Sequence, residues 1–206
     1  MDLRDHRQQY LYDQLGEAHA LPSPFEQFQI WFEQTRGVIR EPNAMVLATA
    51  TLHGKPSARI VLLKEFTEAG AVFFTNYHSR KGKELTENPR AELLFFWDAL
   101  ERQVRIEGVI EKISAADSEA YFNQRPEESR YAAMASNQSE EIASREALEQ
   151  RLAEVKQGPP QRPDHWGGFI LQPMYFEFWQ GRASRLHDRL IYKKQGDQWQ
   201  MARLAP

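Results

Sequence analysis

The sequence contains no cysteine among its 206 residues. Disulfides, thiolate metal ligands and cysteine nucleophiles are therefore excluded. No apolar run approaches the roughly 20 residues that a membrane span needs. The first residues are charged and lack an apolar stretch, so we expect no secretory signal and a cytoplasmic location.

Several functional motifs are also missing from the sequence. There is no G-x-G-x-x-G, no G-x-x-x-x-G-K-[ST] and no G-x-S-x-G. The six histidines are scattered without metal-ligand spacing, so we expect no metal. The net charge is −3 and the basic residues form no stripe, so we expect neither nucleic acid nor a membrane as partner. A phosphorylated ligand would have to be bound by local clusters of Arg and Lys.

The composition is that of a soluble globular protein, with 41% hydrophobic and 27% charged residues. We expect a mobile N-terminal arm over residues 1–22 and a single domain over residues 23–206. Pro24 is expected to open the first helix, because Phe25, Phe28 and Phe32 recur at helical spacing. We expect this helix to end near Gly37.

Most of the remaining pattern predicts strands. Residues 44–51 and 57–66 form a predicted β-hairpin, and residues 71–75 follow as a third strand of an antiparallel meander. Further strands are predicted at 91–97, 103–113, 166–179, 186–192 and 198–204, and helices at 79–88 and 115–156, the latter broken at Pro126. About seven mostly antiparallel strands with added helices predict a mainly β (α+β) fold. A closed or split barrel is favoured, because it hides strand edges.

Two clusters have the composition of phosphate sites. Thr75, Asn76, Ser79, Arg80 and Lys81 lie where a predicted strand ends and a helix begins, and a helix N-terminus with two cations favours an anion. An ordinary capped surface helix explains this cluster equally well.

The second cluster is Tyr121, Arg125 and Ser129, spaced four residues apart. Each supplies a hydrogen-bond donor for a phosphate. A helix end with a stabilising arginine is an equally good interpretation, because Pro126 interrupts the segment.

Three other segments differ in how strongly they indicate a functional site. Taken alone, Arg59 to Lys64 is better explained as a buried strand with solvated, charged ends. Gln103 alternates with apolar neighbours and, taken alone, is better explained as a surface glutamine. Residues 178–189 are stronger, because they combine a Trp with three Arg, one His and one Asp. On a strand, Arg185, His187 and Arg189 would share a face.

Taken together, these segments resemble the pyridoxine/pyridoxamine 5′-phosphate oxidase family from about residue 7 to residue 206. The most specific parts are Arg185-Leu186-His187-Asp188-Arg189 and the ending Arg203-Leu204-Ala205-Pro206. Further matching segments are Arg59–Lys64, Phe74-Thr75-Asn76, Ser79-Arg80-Lys81, Glu101–Val104, Tyr121-Phe122, Arg125-Pro126, Gln138-Ser139 and Phe178–Gly181.

The resemblance implies an FMN-binding split barrel that forms a homodimer with FMN at the subunit interface. It implies oxidation of pyridoxine or pyridoxamine 5′-phosphate to pyridoxal 5′-phosphate, by hydride transfer from C4′ to N5 of FMN and reoxidation by O2 to H2O2. FMN would be held by Arg59, Ile60, Val61, Leu62, Leu63, Lys64, Phe74, Thr75, Arg80, Lys81, Gln103, Gln138, Ser139, Trp179 and Arg189. The substrate would be bound by Lys64, Tyr121, Arg125, Ser129, Arg185, Leu186 and His187, with Arg7 and Tyr10 helping to cover the site. Arg185 and His187 would be the catalytic residues over the pyridine ring.

The chain departs from the family pattern at Ser23, Glu41, Met134 and Asn137, none of which belongs to the implied ligand contacts. Two alternatives stay open from the residues: a split-barrel flavin reductase that uses a nicotinamide, and a non-catalytic protein that binds FMN or pyridoxal phosphate. The phosphate-reading set around Arg125 and the pair Arg185/His187 disfavour both, since a flavin alone does not require them.

Overall fold

The computed structural model describes residues 14–206. This part of the chain contains five α-helices and nine β-strands, with short 3₁₀ turns at Asp98–Leu100 and Ala183–Arg185. In chain order the elements are α1 (Pro24–Glu33), β1 (Ala44–Ala50), β2 (Pro56–Leu62), β3 (Glu65–Thr67), β4 (Gly70–Asn76), α2 (Arg80–Glu87), β5 (Arg90–Trp97), β6 (Arg102–Lys112), α3 (Ala115–Gln124), α4 (Glu127–Ala135), α5 (Arg145–Val155), β7 (Trp166–Gln180), β8 (Asp188–Gln195) and β9 (Gln198–Leu204).

The strands form one antiparallel sheet in the order β2-β1-β5-β6-β7-β4-β3, and β8 and β9 extend from β7. The strands at the two ends of this order, β2 and β3, are joined by only Leu63 and Lys64. The sheet must therefore curl until its edges meet. Beside this seam, the backbone N–H of Lys64 donates to the Val72 carbonyl of β4 at 2.8 Å. The predicted fold class, a mostly antiparallel split barrel with added helices, is confirmed.

The predicted meander is correct only in part, because only the end of the predicted strand 57–66, now β3, pairs with β4. β4 pairs with β3 and β7 and not with the β1–β2 hairpin. The reason is that β4 is buried along nearly its whole length, so it needs a neighbour on each side within the sheet. Residues 14–206 form nine strands instead of about seven, partly because the predicted strand 57–66 is divided at Leu63 and Lys64.

Helix α1 closes the apolar interior of the barrel. Ser23 caps its first turn by accepting a hydrogen bond from the Glu26 N–H at 3.4 Å, and Pro24 stands at its first position. Phe28 and Trp31 are 2% and 4% exposed, so each contributes roughly 2–3 kcal/mol of burial free energy. The helix ends at Glu33, earlier than the expected stop at Gly37.

The chain before α1 contacts the sheet. Leu15 is buried in the core, and the Tyr192 hydroxyl donates to the Leu21 carbonyl at 2.7 Å. The described end of the predicted arm, residues 14–22, is thus held at β8. Arg7 and Tyr10 lie outside the described residues.

Three helices lie between β6 and β7. α3 and α4 are separated by Arg125 and Pro126, which confirms the predicted break. None of the helices described in residues 14–206 is long and apolar enough to span a membrane. The ends of α3 and α4 lie beside a cleft at the seam of the barrel.

Candidate active site

A cleft of about 750 Å³ lies at the seam of the barrel. Its walls come from β2, β4, the α3–α4 junction and the segment after α4. The lining residues are Ile60, Val61, Leu62, Lys64, Phe74, Thr75, Asn76, Lys81, Tyr121, Gln124, Arg125, Pro126, Ser129, Ala132, Ala133, Ser136, Gln138 and Trp166. The structure thus brings together eleven predicted site residues that are far apart in sequence: Ile60, Val61, Leu62, Lys64, Phe74, Thr75, Lys81, Tyr121, Arg125, Ser129 and Gln138.

An aromatic stack forms one wall of the cleft. The rings of Phe74 and Tyr121 lie 3.9 Å apart with an interplanar angle of 23°, and Phe74 and Trp166 are 5.4 Å apart at 15°. Trp166 was not predicted as a site residue. The adjacent glycines were the available signal: at Gly167 a Cβ would lie 2.1 Å from the Tyr77 hydroxyl, so the strand is shaped for close packing here.

One end of the cleft carries Lys64, Tyr121, Arg125 and Ser129. The Arg125 guanidinium lies 4.7 Å from the centre of the Trp166 ring. Its Nη1 atom is buried and has no hydrogen-bond partner. Burial lowers the pKa of Arg125, and the described residues form no ion pair with this guanidinium.

All four residues line one cleft, although Tyr121, Arg125 and Ser129 do not share one helix face. α3 ends at Gln124 and α4 begins at Glu127, so the turn between them brings Tyr121, Arg125 and Ser129 to the same cleft. The arrangement can bind an anionic group, because each side chain offers a donor and Arg125 has an unused one.

The other end of the cleft is built around Lys81, in the first turn of α2. Its Nζ donates to Gln138 Oε1 at 2.8 Å and to Thr75 Oγ1 at 3.2 Å. Burial, followed by the charge of Arg59, lowers the pKa of Lys81 to about 8. No carboxylate in the described part of the chain forms an ion pair with this ammonium group, which makes it a second anion-binding point.

Arg59 and Arg80 stand behind Lys81 and do not line the cleft. Arg80 Nε lies 2.9 Å from Glu84 Oε1, and Arg59 Nη2 lies 3.4 Å from Glu84 Oε2. Leu63 also does not line the cleft, because it is buried in the core. Ser139 has a φ of 73° and lines a smaller pocket beside α5.

A second group of predicted residues lies on the outer face of the sheet. Gln103, Trp179 and Arg189 are register partners on β6, β7 and β8. Their sequence neighbours Val104, Phe178 and Leu190 are fully buried on the opposite face. None of the three side chains lines the cleft of its own chain.

The loop before β8 carries Arg185 and His187. The predicted strand 186–192 begins only at Asp188, so Arg185 and His187 do not share a strand face with Arg189. Ser184 and Arg185 have φ values of 58° and 61°, a backbone conformation that is rare for residues other than glycine. Such strain is typical of functional segments.

Contacts with Trp179 and with the backbone of Arg182 help to orient His187. Its ring lies 4.6 Å from the Trp179 ring, and its Nδ1 accepts a hydrogen bond from the Arg182 N–H at 3.1 Å. Burial, followed by the charge of Arg185, lowers the pKa of His187. The neutral imidazole therefore carries its proton on Nε2. Arg185 and Leu186 are exposed, and these three residues do not line the cleft of the same chain.

An open antiparallel barrel with an aromatic, cationic cleft at its seam defines a split-barrel protein that can bind phosphorylated ring compounds. Residues 32–157 match the family model described as pyridoxamine 5′-phosphate oxidase, and residues 166–206 match that of the pyridoxine 5′-phosphate oxidase C-terminal dimerisation region. The chain belongs to the pyridoxamine 5′-phosphate oxidase family.

Individual relatives agree with this assignment. The chain is 54% identical to the pyridoxine/pyridoxamine 5′-phosphate oxidase of a Cyanothece species, over 100% of this chain and 99% of the relative. It is 56% identical to that of Bordetella avium, over 100% of both. Among solved structures, PhzG from Burkholderia lata, in complex with tetrahydrophenazine-1-carboxylic acid, superimposes with a TM-score of 0.89 and 32% identity, covering 94% of this chain and 98% of that one. An FMN-binding protein from Nostoc punctiforme shares the fold, with a TM-score of 0.72, 18% identity and coverage of 89% and 98%.

Proposed function

We propose that the chain oxidises pyridoxine 5′-phosphate and pyridoxamine 5′-phosphate to pyridoxal 5′-phosphate. Membership of the family makes it an FMN-dependent oxidoreductase. One observation carries the choice of substrate: the buried, unpartnered Nη1 of Arg125 lies in the cleft with Lys64 and Ser129. None of the residues that the structure describes supplies an anion for this cation, so a ligand can do so.

The residues present fit FMN as well as the substrate, because the cleft has two separate cationic ends. Lys81, with Arg59 and Arg80 behind it, would hold the FMN phosphate, together with Thr75 and Gln138. Lys64 and Arg125 would hold the phosphate of the vitamer. When bound, FMN accepts a hydride from C4′ of the substrate and passes the electrons to O2, giving H2O2.

Some of the predicted FMN-binding residues line the cleft, and others lie on the outer face of the sheet. This division supports a homodimer with FMN at the subunit interface. Gln103, Trp179 and Arg189 do not line the cleft of their own chain, and the matched dimerisation region spans residues 166–206. Phe96, the register partner of Gln103, is 57% exposed on the same face. This face also carries ion pairs of Arg105 and Arg189 with Glu177. A second copy packed on it would supply the outer residues to the first copy's cleft.

Arg185 and His187 then act on the substrate ring. Arg185 orients the ring and stabilises negative charge near its 3-oxygen. Because His187 Nδ1 accepts the Arg182 N–H, the Nε2–H of this ring would donate to the substrate. We expect Arg185→Ala to reduce kcat in the FMN-loaded enzyme, and an unchanged turnover per active site would contradict this role. The cytoplasmic location remains a prediction from the sequence.

The decisive experiment is anaerobic bleaching of the flavin absorbance of the purified protein. Bleaching by pyridoxamine 5′-phosphate supports the oxidase. If a nicotinamide alone bleaches the flavin, the protein is a reductase instead. No bleaching by either compound would indicate a non-catalytic binder.

A further inference from the structure

A buried carboxylate stands behind the Lys81 end of the cleft. The side chain of Glu84, on α2, is only 6% exposed. Its Oε1 accepts a hydrogen bond from Arg80 Nε at 2.9 Å, and its Oε2 lies 3.4 Å from Arg59 Nη2. One acidic group therefore holds two of the cations expected to bind the FMN phosphate.

The barrel fixes this carboxylate in turn. The hydroxyls of Thr49 on β1 and Ser57 on β2 both donate to Glu84 Oε2 at 2.5 Å. Burial alone would raise the pKa of Glu84, but hydrogen bonds from Ser57, Thr49 and Arg80 outweigh it and hold the pKa at about 2. The group is therefore ionised at any pH at which the enzyme is expected to work.

Glu84 also sets the charge of this end of the cleft. Arg59, Arg80 and Lys81 carry three positive charges, and Glu84 leaves about two, which matches a phosphomonoester dianion near neutral pH. Arginine side chains lose conformational entropy when they are ordered. A carboxylate that orders them before the ligand arrives removes much of this loss from the binding step.

We propose that Glu84 is a positioning residue, which fixes Arg59 and Arg80 and so makes the site selective for a phosphorylated flavin over an unphosphorylated one. The inference rests on the proposed function, which assigns the FMN phosphate to the Lys81 end. It adds a residue that none of the sequence motifs singled out.

The test compares FMN with riboflavin, which lacks the phosphate. Dissociation constants of the full-length apoprotein for both flavins are measured by quenching of flavin fluorescence. We expect Glu84→Ala and Glu84→Gln to weaken FMN binding by about tenfold or more and to leave riboflavin binding unchanged. Glu87→Gln, which removes an exposed carboxylate from the same helix, is the matched control and should change neither constant.

Three outcomes would overturn the proposal. An unchanged preference for FMN in both variants would show that the arginines need no support, and a stronger preference would show that Glu84 merely repels the phosphate. Equal weakening for both flavins would indicate a general effect on the fold. Should Glu84→Ala not fold, Glu84→Gln carries the comparison alone.

The proposed function can fail separately. If the wild-type chain binds riboflavin as tightly as FMN, the phosphate does not bind at the Lys81 end. The wild-type measurement alone would then contradict that assignment. If the wild-type chain prefers FMN and the variants keep that preference, only the role of Glu84 is lost.

Discussion

Lys81 gives the cofactor site a pH dependence. The pKa of this ammonium group is about 8 in the free protein, and a bound phosphate would raise it. The free protein must then take up a proton in order to bind FMN above pH 8. We expect FMN affinity to fall as pH rises above about 8, by up to about tenfold per pH unit.

The measurement is the dissociation constant for FMN between pH 7 and pH 10. The second ionisation of a phosphate, with a pKa near 6, is complete before this range begins. Lys81→Arg keeps the charge at high pH and should flatten the profile. A wild-type profile that is flat to pH 10 would show that Lys81 does not contact the phosphate.

Arg125 is expected to act on a part of the substrate that does not react. Arg125→Ala should raise KM for pyridoxamine 5′-phosphate about 10- to 100-fold and change kcat little, because a phosphate contact is equally strong in the ground state and in the transition state. Arg145→Ala, on the exposed side of α5, is the control for loss of a positive charge. A loss of kcat at unchanged KM would contradict the assignment.

Site residues that are neighbours in sequence could be predicted from the sequence, whereas residues that only the fold brings together could not. Ser79, Arg80 and Lys81 are contiguous, so a phosphate site could be suspected from residue types alone. Glu84 and Trp166 could not be found in this way, since their importance comes from strands and helices that meet only in the folded chain. Gln138 was found only through the family resemblance.

At the scale of elements, the position of α2 depends on close packing between Gly82 and the backbone of Tyr77. A Cβ at Gly82 would lie 2.2 Å from the carbonyl oxygen of Tyr77. Alanine normally favours a helix by about 1 kcal/mol over glycine, but backbone atoms at this distance cannot give way. We therefore expect Gly82→Ala to lower the free energy of unfolding by about 1–3 kcal/mol.

Denaturant unfolding measures this change, and Gly158→Ala is the control because a Cβ there meets nothing within 4 Å. Equal stability of both variants would show that the turn before α2 can relax. A displaced α2 would also move Lys81, so weaker FMN binding should accompany the loss of stability.

Element positions followed closely from hydrophobic periodicity, whereas element pairing did not. The strand at residues 198–204 was predicted with its observed bounds, and Pro126 correctly marked the helix break. The pairing of β4 with β7 joins segments about 90 residues apart, and no local pattern encodes that choice. The start of β8 was misplaced because residues 183–187 form a strained turn, whose conformation residue propensities do not reveal.

At the scale of the whole molecule, the outer face of the sheet around the exposed Phe96 predicts a dimer. Phe96→Glu would place a charge beside Gln103 at the centre of the proposed interface. We expect this variant to be a monomer by light scattering and to lose most of its bound FMN. Leu52→Glu, in the exposed turn between β1 and β2, should remain a dimer and keep its flavin. A dimeric Phe96→Glu variant that retains FMN would contradict the proposed interface.

The seam between β2 and β3 has a further consequence, for turnover of the protein in the cell. A ligand that contacts β2, β4 and α4 together links these elements across the open side of the barrel and stabilises the folded state. At a hundred times its dissociation constant it would add about 2.7 kcal/mol to the free energy of unfolding. We expect amide hydrogens of β2 and β3 to exchange faster in the apoprotein, and proteases to cut it sooner. A shortage of flavin would then shorten the half-life of the protein in the cell as well as abolish its activity.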